Sequence, residues 1–385
     1  MELARILQLK PLLAKNSFFL FGPRGTGKSS LIRDQLSEQA VVIDLLRQAD
    51  FARLAENPEL LEPIILGKNP RPAEIVIDEV QKLPALLDEV HRLIEERRWR
   101  FLLTGSSARK LRRGHANLLG GRAWVAELRP FVWKELAPHG QWRLDDILHR
   151  GTLPSLFFAE DSREALDAYL RTYLTIEVQA EGLTRNIPRF QRFLRTAALS
   201  VGQLVNYAAI GSDAGIPETT VKSHFEILSD TLLGFELEPF LGSKKRKAIR
   251  TAKFYFFDNG ILHGLLGTET LTQDTDLYGR SLEQYLINEV AAYNSYARKK
   301  KELFFWRDKS GYEVDLLVEG ELAVEIKATR RAAERDLRGL VEFQKEKCVS
   351  RSVLVSRDPV PRKIGSTEFL PVELFLERLW GGDFF

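Results

Sequence analysis

One cysteine, Cys348, and one methionine are all the sulfur in 385 residues. A single thiol excludes an intrachain disulfide and a thiolate zinc cluster, and the six histidines show no paired metal-ligand spacing. No continuous apolar run reaches the roughly 18 residues that a membrane span needs, so no membrane partner is expected. The N-terminus, MELARILQLKPLLAK, has an acidic residue at position 2 and lacks a long apolar core and a small-residue cleavage site. That makes it a poor secretory signal, and a cytoplasmic location is expected. An excess of one charge is lacking too. With 56 basic and 53 acidic residues the net charge is +3, so the overall balance does not announce a nucleic-acid binder.

What remains is ordinary globular protein, 44% hydrophobic and 28% charged. At this length one core usually divides, so two or three domains are expected.

The most specific pattern is Gly22-Pro23-Arg24-Gly25-Thr26-Gly27-Lys28-Ser29, a G-x-x-x-x-G-K-[ST] loop. Before it lies the apolar run SFFLF. After it, KSSLIRDQL puts Leu31, Ile32 and Leu36 at helical spacing, so the context is strand, loop, helix. Glycines let backbone N–H groups turn toward phosphates, the helix N-terminus favours anions, Lys28 brings a charge to the outer phosphates, and Ser29 can ligate magnesium. Together with Ser30 these residues form the expected ATP site. A carboxylate near the magnesium is also required, and EIVIDEVQKL supplies it: Ile75 to Ile77 form a strand, Asp78 holds the ion, and Glu79 polarises the attacking water. The alternative is a strand ending in a solvated acidic turn.

A further strand in RFLLTGSSARKL, Phe101 to Leu103, leads into Thr104, Gly105, Ser106 and Ser107. Ser106, with Thr104 as second choice, is the candidate sensor of the terminal phosphate; an ordinary strand-to-helix turn is the competing reading. In LLGGRAWVAELRPF, Arg122 is a candidate to stabilise the transition state, from its own subunit or from a neighbour in a homo-oligomer, against a structural ion pair.

The order of these parts resembles the AAA-type ATPases, and among them a bacterial and archaeal family in which a P-loop domain is joined to a C-terminal domain of unassigned function. The resemblance extends over nearly the whole chain, through LHRGTLPSLF, LRTYLTIEVQ, ETTVKSHFEILSDTLLGFELEPF, KFYFFDNGIL and WRDKSGYEVDLLVE. It implies ATP and Mg2+ as cofactors. The family lacks the clear second sensor helix of typical AAA enzymes, and none is found here.

Beyond the ATPase core, 142 to 200 reads as a helical connector, with Leu166, Tyr169, Leu170, Tyr173 and Leu174 at helical spacing. From Ser200 to Phe257 the pattern is helix, turn, helix, two strands. VGQLVNYAAIGSDAGI gives the first helix, Pro217 starts the second, and Val221, Phe225, Leu228 and Leu232 share its apolar face. This resembles a winged helix, with Lys244, Lys245, Arg246, Lys247, Arg250 and Lys253 as a basic wing suited to DNA phosphates. The exposed face of the second helix carries Glu218 and Glu226, which disfavours base-specific reading. A protein-contact module with a solvated basic loop is the alternative.

The last stretch holds a second chemical pattern. Glu283 lies on a helix with Leu282, Leu286 and Val290; Asp315 lies in YEVDLLVE; Glu325 and Lys327 lie in AVEIKA. Alternation puts Glu325 and Lys327 on one face, opposite Val324 and Ile326, and the turn EGEL joins the two strands. Asp315 and Glu325 could share a divalent metal, with Lys327 activating water and Glu283 assisting. This resembles the restriction-endonuclease-like fold, whose core motif is Asp followed by Glu-x-Lys.

The expectation is therefore an α/β protein: an AAA-type P-loop NTPase with a parallel sheet over 1–141, a helical connector and winged helix over 142–260, and a restriction-endonuclease-like domain over 261–385. Its expected function is Mg-dependent ATP hydrolysis acting on DNA. The alternative is a nucleotide-gated switch or assembly protein whose nuclease fold is inert and whose partners are proteins.

Overall fold

The computed structural model describes residues 3–106, 118–173, 186–242 and 251–385. They form two compact units, one of residues 1–130 with 230–233, the other of residues 131–229 with 234–385.

The first unit is built on a five-stranded sheet in the order β2-β3-β4-β1-β5. Its strands are β1 (Ser17–Phe21), β2 (Val41–Asp44), β3 (Ile75–Asp78), β4 (Phe101–Gly105) and β5 (Ala123–Glu127). Every pairing is parallel. A parallel sheet is covered on both faces, so its central strands read as continuous apolar runs instead of alternating. Phe18 to Leu20, Ile75 to Ile77 and Phe101 to Leu103 are all essentially inaccessible to solvent. On one face Phe19, Ile43, Ile77 and Leu103 pack with Leu54, Leu61, Val90 and Leu93 from the covering helices. Parallel order places the carboxyl ends of β1, β3 and β4 along one edge, and the phosphate loop leaves from that edge.

The second unit has an eight-stranded sheet in the order β12-β13-β11-β10-β9-β8-β6-β7. Its strands are β6 (Gly234–Pro239), β7 (Lys253–Phe256), β8 (Leu303–Arg307), β9 (Glu313–Val318), β10 (Gly320–Lys327), β11 (Val349–Ser356), β12 (Arg362–Ile364) and β13 (Thr367–Pro371). Strands β9 and β10 form the expected hairpin, with Val324 opposite Leu316. On one side Trp306, Leu317, Leu340, Phe343 and Leu354 make a core.

Three sequence expectations differ here. The helix expected from Val201 to Ile216 is confined to Tyr207–Ala214, capped by the Asn206 side chain, which accepts from the Ala209 N–H at 3.0 Å. The next helix, Glu218–Asp230, stops short of Leu232, whose φ of 59° is left-handed and ends the helical path. Strands β6 and β7 pair antiparallel as a wing would, but β6 also pairs with β8, so the hairpin is the edge of the larger sheet. Edge-on contact of Phe225 with Phe254, ring centroids 4.8 Å apart, ties the Glu218–Asp230 helix to β7. Among the described residues, no helix is long and apolar enough to cross a membrane.

Candidate functional site

The phosphate loop runs from Phe21 into the helix Lys28–Gln35. Gly25 and Gly27 take φ of 81° and 89°, conformations that cost a β-carbon dearly and let successive N–H groups turn into the loop. Gly22 is required for a different reason, because a Cβ there would lie 2.4 Å from the Leu128 carbonyl oxygen. The Lys28 ammonium is buried within the loop and donates to the carbonyls of Gly22 at 2.6 Å and Pro23 at 3.2 Å. The Thr26 hydroxyl donates to the Pro23 carbonyl at 2.8 Å, which stiffens the turn. Ser30, on the first helical turn, accepts from Arg33.

Strand β3 brings Asp78 to the loop. Its Oδ2 accepts from Ser29 Oγ at 3.3 Å, and its Oδ1 accepts from the Thr104 hydroxyl. A hydroxyl and a carboxylate side by side at the loop's end are a donor set suited to magnesium, which takes one or two carboxylates beside substrate phosphates. Thr104 is fully buried and also accepts from the Glu79 N–H at 3.1 Å. It therefore orients the acidic pair, and Ser106 is the better placed candidate for the phosphate.

Glu79 has φ 59° and ψ 44°, left-handed geometry that costs a residue with a β-carbon about 1 kcal/mol. Such strain persists where the surroundings over-determine it and gathers at functional sites. Its carboxylate accepts from Gln81 Nε2 at 2.5 Å, and the same amide reaches Ser106 Oγ at 3.3 Å. Gln81 and Arg5 were not anticipated from sequence. Arg5 donates to the Thr26 carbonyl at 2.7 Å and to the Arg129 carbonyl at 2.6 Å, clamping the loop to the segment after β5.

Arg122 is not brought to this site. It precedes Ala123, which pairs with Ser17 at the start of β1, whereas the loop leaves at Phe21, paired with Glu127. Five strand steps of about 3.3 Å put it roughly 16 Å along the sheet, at the opposite edge. There its guanidinium pairs with Glu95, whose carboxyl is held below the ordinary value chiefly by that hydrogen bond. The candidate role within its own subunit is thereby corrected to an exposed ion pair.

In the second unit, helix Asp276–Tyr296 and strands β7, β9 and β10 assemble a charged cluster. Glu283 Oε1 accepts from Lys253 Nζ at 3.0 Å and from the Tyr255 hydroxyl at 2.5 Å. Lys253 also lies 2.5 Å from Glu313, and Lys327 lies 2.5 Å from Glu325. Asp315 Oδ2 accepts from the Ile326 N–H at 2.7 Å. Burial, then the charge of Asp315, raise the Glu325 carboxyl well above the ordinary range against the pull of Lys327. Burial likewise raises Glu283, with the Lys253 charge opposing. Burial disfavours the Lys253 ammonium, but Glu283, Tyr255, Asp315 and Glu313 outweigh it and hold its pKa well above the ordinary value.

Lys253 is 2% exposed, so its assignment to the DNA-contacting wing is corrected: its charge is spent on carboxylates of its own unit. Lys244, Lys245, Arg246, Lys247 and Arg250 lie outside the described residues, as does Ser107. Among the described residues no group of three or more His, Cys, Asp or Glu side chains is placed to hold a metal. Asp315 and Glu325 fit a divalent cation only as a carboxylate pair, and the buried Glu325 Oε2, which has no hydrogen-bond partner, is the donor atom left open.

The phosphate loop leaves the carboxyl edge of the parallel sheet after β1, and the Asp78-Glu79 pair ends β3, two strands away across β4, the arrangement of a P-loop nucleotide-binding domain. Residues 14–137 match the family described as AAA domain, 141–272 a domain of unknown function (DUF8612), and 278–375 another, DUF4143. An uncharacterized protein of Mycobacterium tuberculosis and one of Mycobacterium bovis are each 29% identical over 327 residues, 83% of this chain and 70% of theirs. Among solved structures, the Aeropyrum pernix ORC1 protein in complex with DNA is 14% identical, covering 66% of this chain and 87% of that one. Its TM-score is 0.24, too low to carry an argument.

Proposed function

We propose that the protein hydrolyses ATP with magnesium and acts on DNA, its nucleotide state governing the C-terminal unit. The observation that carries the ATPase reading is the meeting of Lys28, Ser29, Asp78 and Glu79 at one edge of the β1–β3–β4 sheet. Loop amides and the helix N-terminus cradle the phosphates, and Lys28 exchanges its carbonyl partners for phosphate oxygens. Ser29 and Asp78 would hold magnesium, which supplies charge neutralisation at the β- and γ-phosphates. Glu79 takes the proton from water as its oxygen bonds the γ-phosphorus and the bond to the bridging oxygen of ADP breaks.

DNA as the partner is supported by the basic character of 244–250, which holds five lysines and arginines and no acidic residue. A winged helix is supported by three helices, Ile187–Leu199, Tyr207–Ala214 and Glu218–Asp230, preceding the β6–β7 pair, and a nuclease-like domain by Asp315, Glu325 and Lys327 on the β9–β10 hairpin beside the Glu283 helix. The deciding experiment follows Mg-dependent ATP hydrolysis with and without single-stranded, duplex and branched DNA, with the DNA run on a gel from the same reactions. Stimulation by one DNA form, lost when Lys244, Lys245, Arg246, Lys247 and Arg250 become alanine, supports the reading. Hydrolysis indifferent to every DNA, with no salt-dependent binding, sinks the DNA half of it.

One observation favours a second reading, a nucleotide-gated switch with an inert nuclease fold. The Lys253 ammonium already occupies the space between Glu283 and Glu313. Magnesium-dependent cleavage lost in Asp315→Ala would exclude the switch.

A further inference from the structure

Gln81 stands between the two groups on which hydrolysis depends. It is 7% exposed, and its amide nitrogen donates both to Glu79 Oε2 at 2.5 Å and to Ser106 Oγ at 3.3 Å. A carboxylate only accepts, so the NH2 end must face Glu79 and the carbonyl end must face away. That carbonyl oxygen is buried without a hydrogen-bond partner. It sits 2.6 Å from where a Cβ at position 105 would lie, so Gly105 makes the room that the amide occupies. A leucine would fill the same space without stranding a buried acceptor, and stranding one is unfavourable. The amide is therefore not there for packing. Nor does it hold the backbone: the left-handed turn at Glu79 is tied separately, by its N–H to Thr104. What Gln81 fixes is the direction of the Glu79 carboxylate.

We propose that Gln81 is a positioning residue for ATP hydrolysis, one amide setting the carboxylate that activates water and the hydroxyl that meets the γ-phosphate in a single geometry. This rests on the ATPase reading of the same site. When Ser106 engages the phosphate, the amide it shares with Glu79 passes that engagement to the base, so hydrolysis is licensed by correct seating of the γ-phosphate. Binding of the nucleotide is left to Lys28 and the loop.

The test compares wild type, Gln81→Leu and Gln81→Glu in the full-length chain, measuring steady-state hydrolysis, affinity for a fluorescent ATP analogue, and melting temperature. Misplacement on the order of 1 Å costs about 10²-fold in rate, so Gln81→Leu is expected to lose about that factor in kcat while its nucleotide Kd stays within about twofold. Gln81→Glu replaces the donor with a second carboxylate, which can only accept, and should lose kcat at least as far as Gln81→Leu at unchanged melting temperature. Loss of kcat only in step with a fall in melting temperature would make Gln81 structural and overturn the proposal. An unchanged kcat in Gln81→Leu overturns it too, and leaves the ATPase reading standing. Wild-type protein that binds ATP without hydrolysing it overturns both.

Discussion

The Lys253 ammonium, 2% exposed, lies 3.0 Å from the Glu283 carboxylate and 2.5 Å from that of Glu313. This lysine is a structural counter-ion, and a stability measurement separates that role from a DNA-contacting one. Removing one partner of a buried ion pair leaves an uncompensated charge and costs about 3–5 kcal/mol. Lys253→Met is expected to lower the melting temperature by roughly 10 °C. A wing lysine would instead lose DNA affinity at constant melting temperature. Without Lys253 the Glu283 carboxyl, already raised by burial, holds its proton still longer. A folded carboxyl with a raised pKa binds a proton that the unfolded chain has released, so the deficit widens as pH rises.

The proposed nucleotide site makes a sharper prediction, because the proposal gives binding and chemistry to different residues. Lys28→Ala removes the ammonium that the Gly22 and Pro23 carbonyls now hold, and calorimetry should show ATP affinity falling by at least about tenfold. Glu79→Gln keeps the size and hydrogen-bonding reach of the base without its charge. It should bind ATP normally and lose about 10²–10³-fold in phosphate release, the scale of a positioned general base. Equal loss of affinity in both variants would refute the division of labour.

The two halves of this site differ in how far they could be read from sequence, and the difference is one of range. The placement of the loop and of the Asp78-Glu79 pair is legible because each is set by residues a few positions apart, through strand and helix periods. Arg5 is not legible: it acts on the carbonyl of Arg129, 124 residues away, and no local spacing records that approach. Gln81 lies in a legible motif, but its contact with Ser106 needs β3 and β4 paired side by side. Lys253 was misread for a physical reason. It closes a run of like charges, and β7 is buried on both faces, so alternation could not reveal that its side chain turns inward. Arg122 carries two readings in the sequence, a phosphate contact and an ion pair, because glycines before an arginine look alike at either end of a parallel strand, and only the register distinguishes them.

Close approach at the loop can be probed without touching a charged group. A Cβ at position 22 would meet the Leu128 carbonyl oxygen at 2.4 Å, and the obstacle is backbone that cannot rotate away. Gly22→Ala should push the loop away from Leu128, weakening ATP binding and slowing hydrolysis by about 10²-fold, the rate cost of misplacing a bound group by an ångström. Gly67→Ala, with open space at its Cβ, is the matched control and should bind as wild type. Indifference of both would mean that the loop moves freely against Leu128.

Buried titrating groups in the second unit pull stability in opposite directions with pH. Glu289 is 3% exposed and accepts from the Trp133 N–H and the Trp380 indole, each at 2.8 Å; burial, opposed by those hydrogen bonds, raises its pKa to about 7. Unfolded, the carboxyl ionises near 4.5. Between those values the folded state holds more protons, so this contribution is full below about pH 4.5 and is lost as pH rises to about 7. His263 runs the other way. Burial, then the charge of His149, lowers its pKa from 6.5 to about 4, so the unfolded chain binds the extra proton and stability from this group falls as pH drops from about 6.5 to 4. Urea midpoints at pH 5 and pH 8 isolate each term. Glu289→Gln removes the ionisable group, so relative to wild type it should gain stability between pH 5 and pH 8, by roughly 2–3 kcal/mol for a shift of this size. His263→Asn should show the opposite trend, closing its gap to wild type at pH 5. Parallel urea curves for wild type and Glu289→Gln across that range would show that Glu289 ionises in the folded state as it does in the unfolded chain.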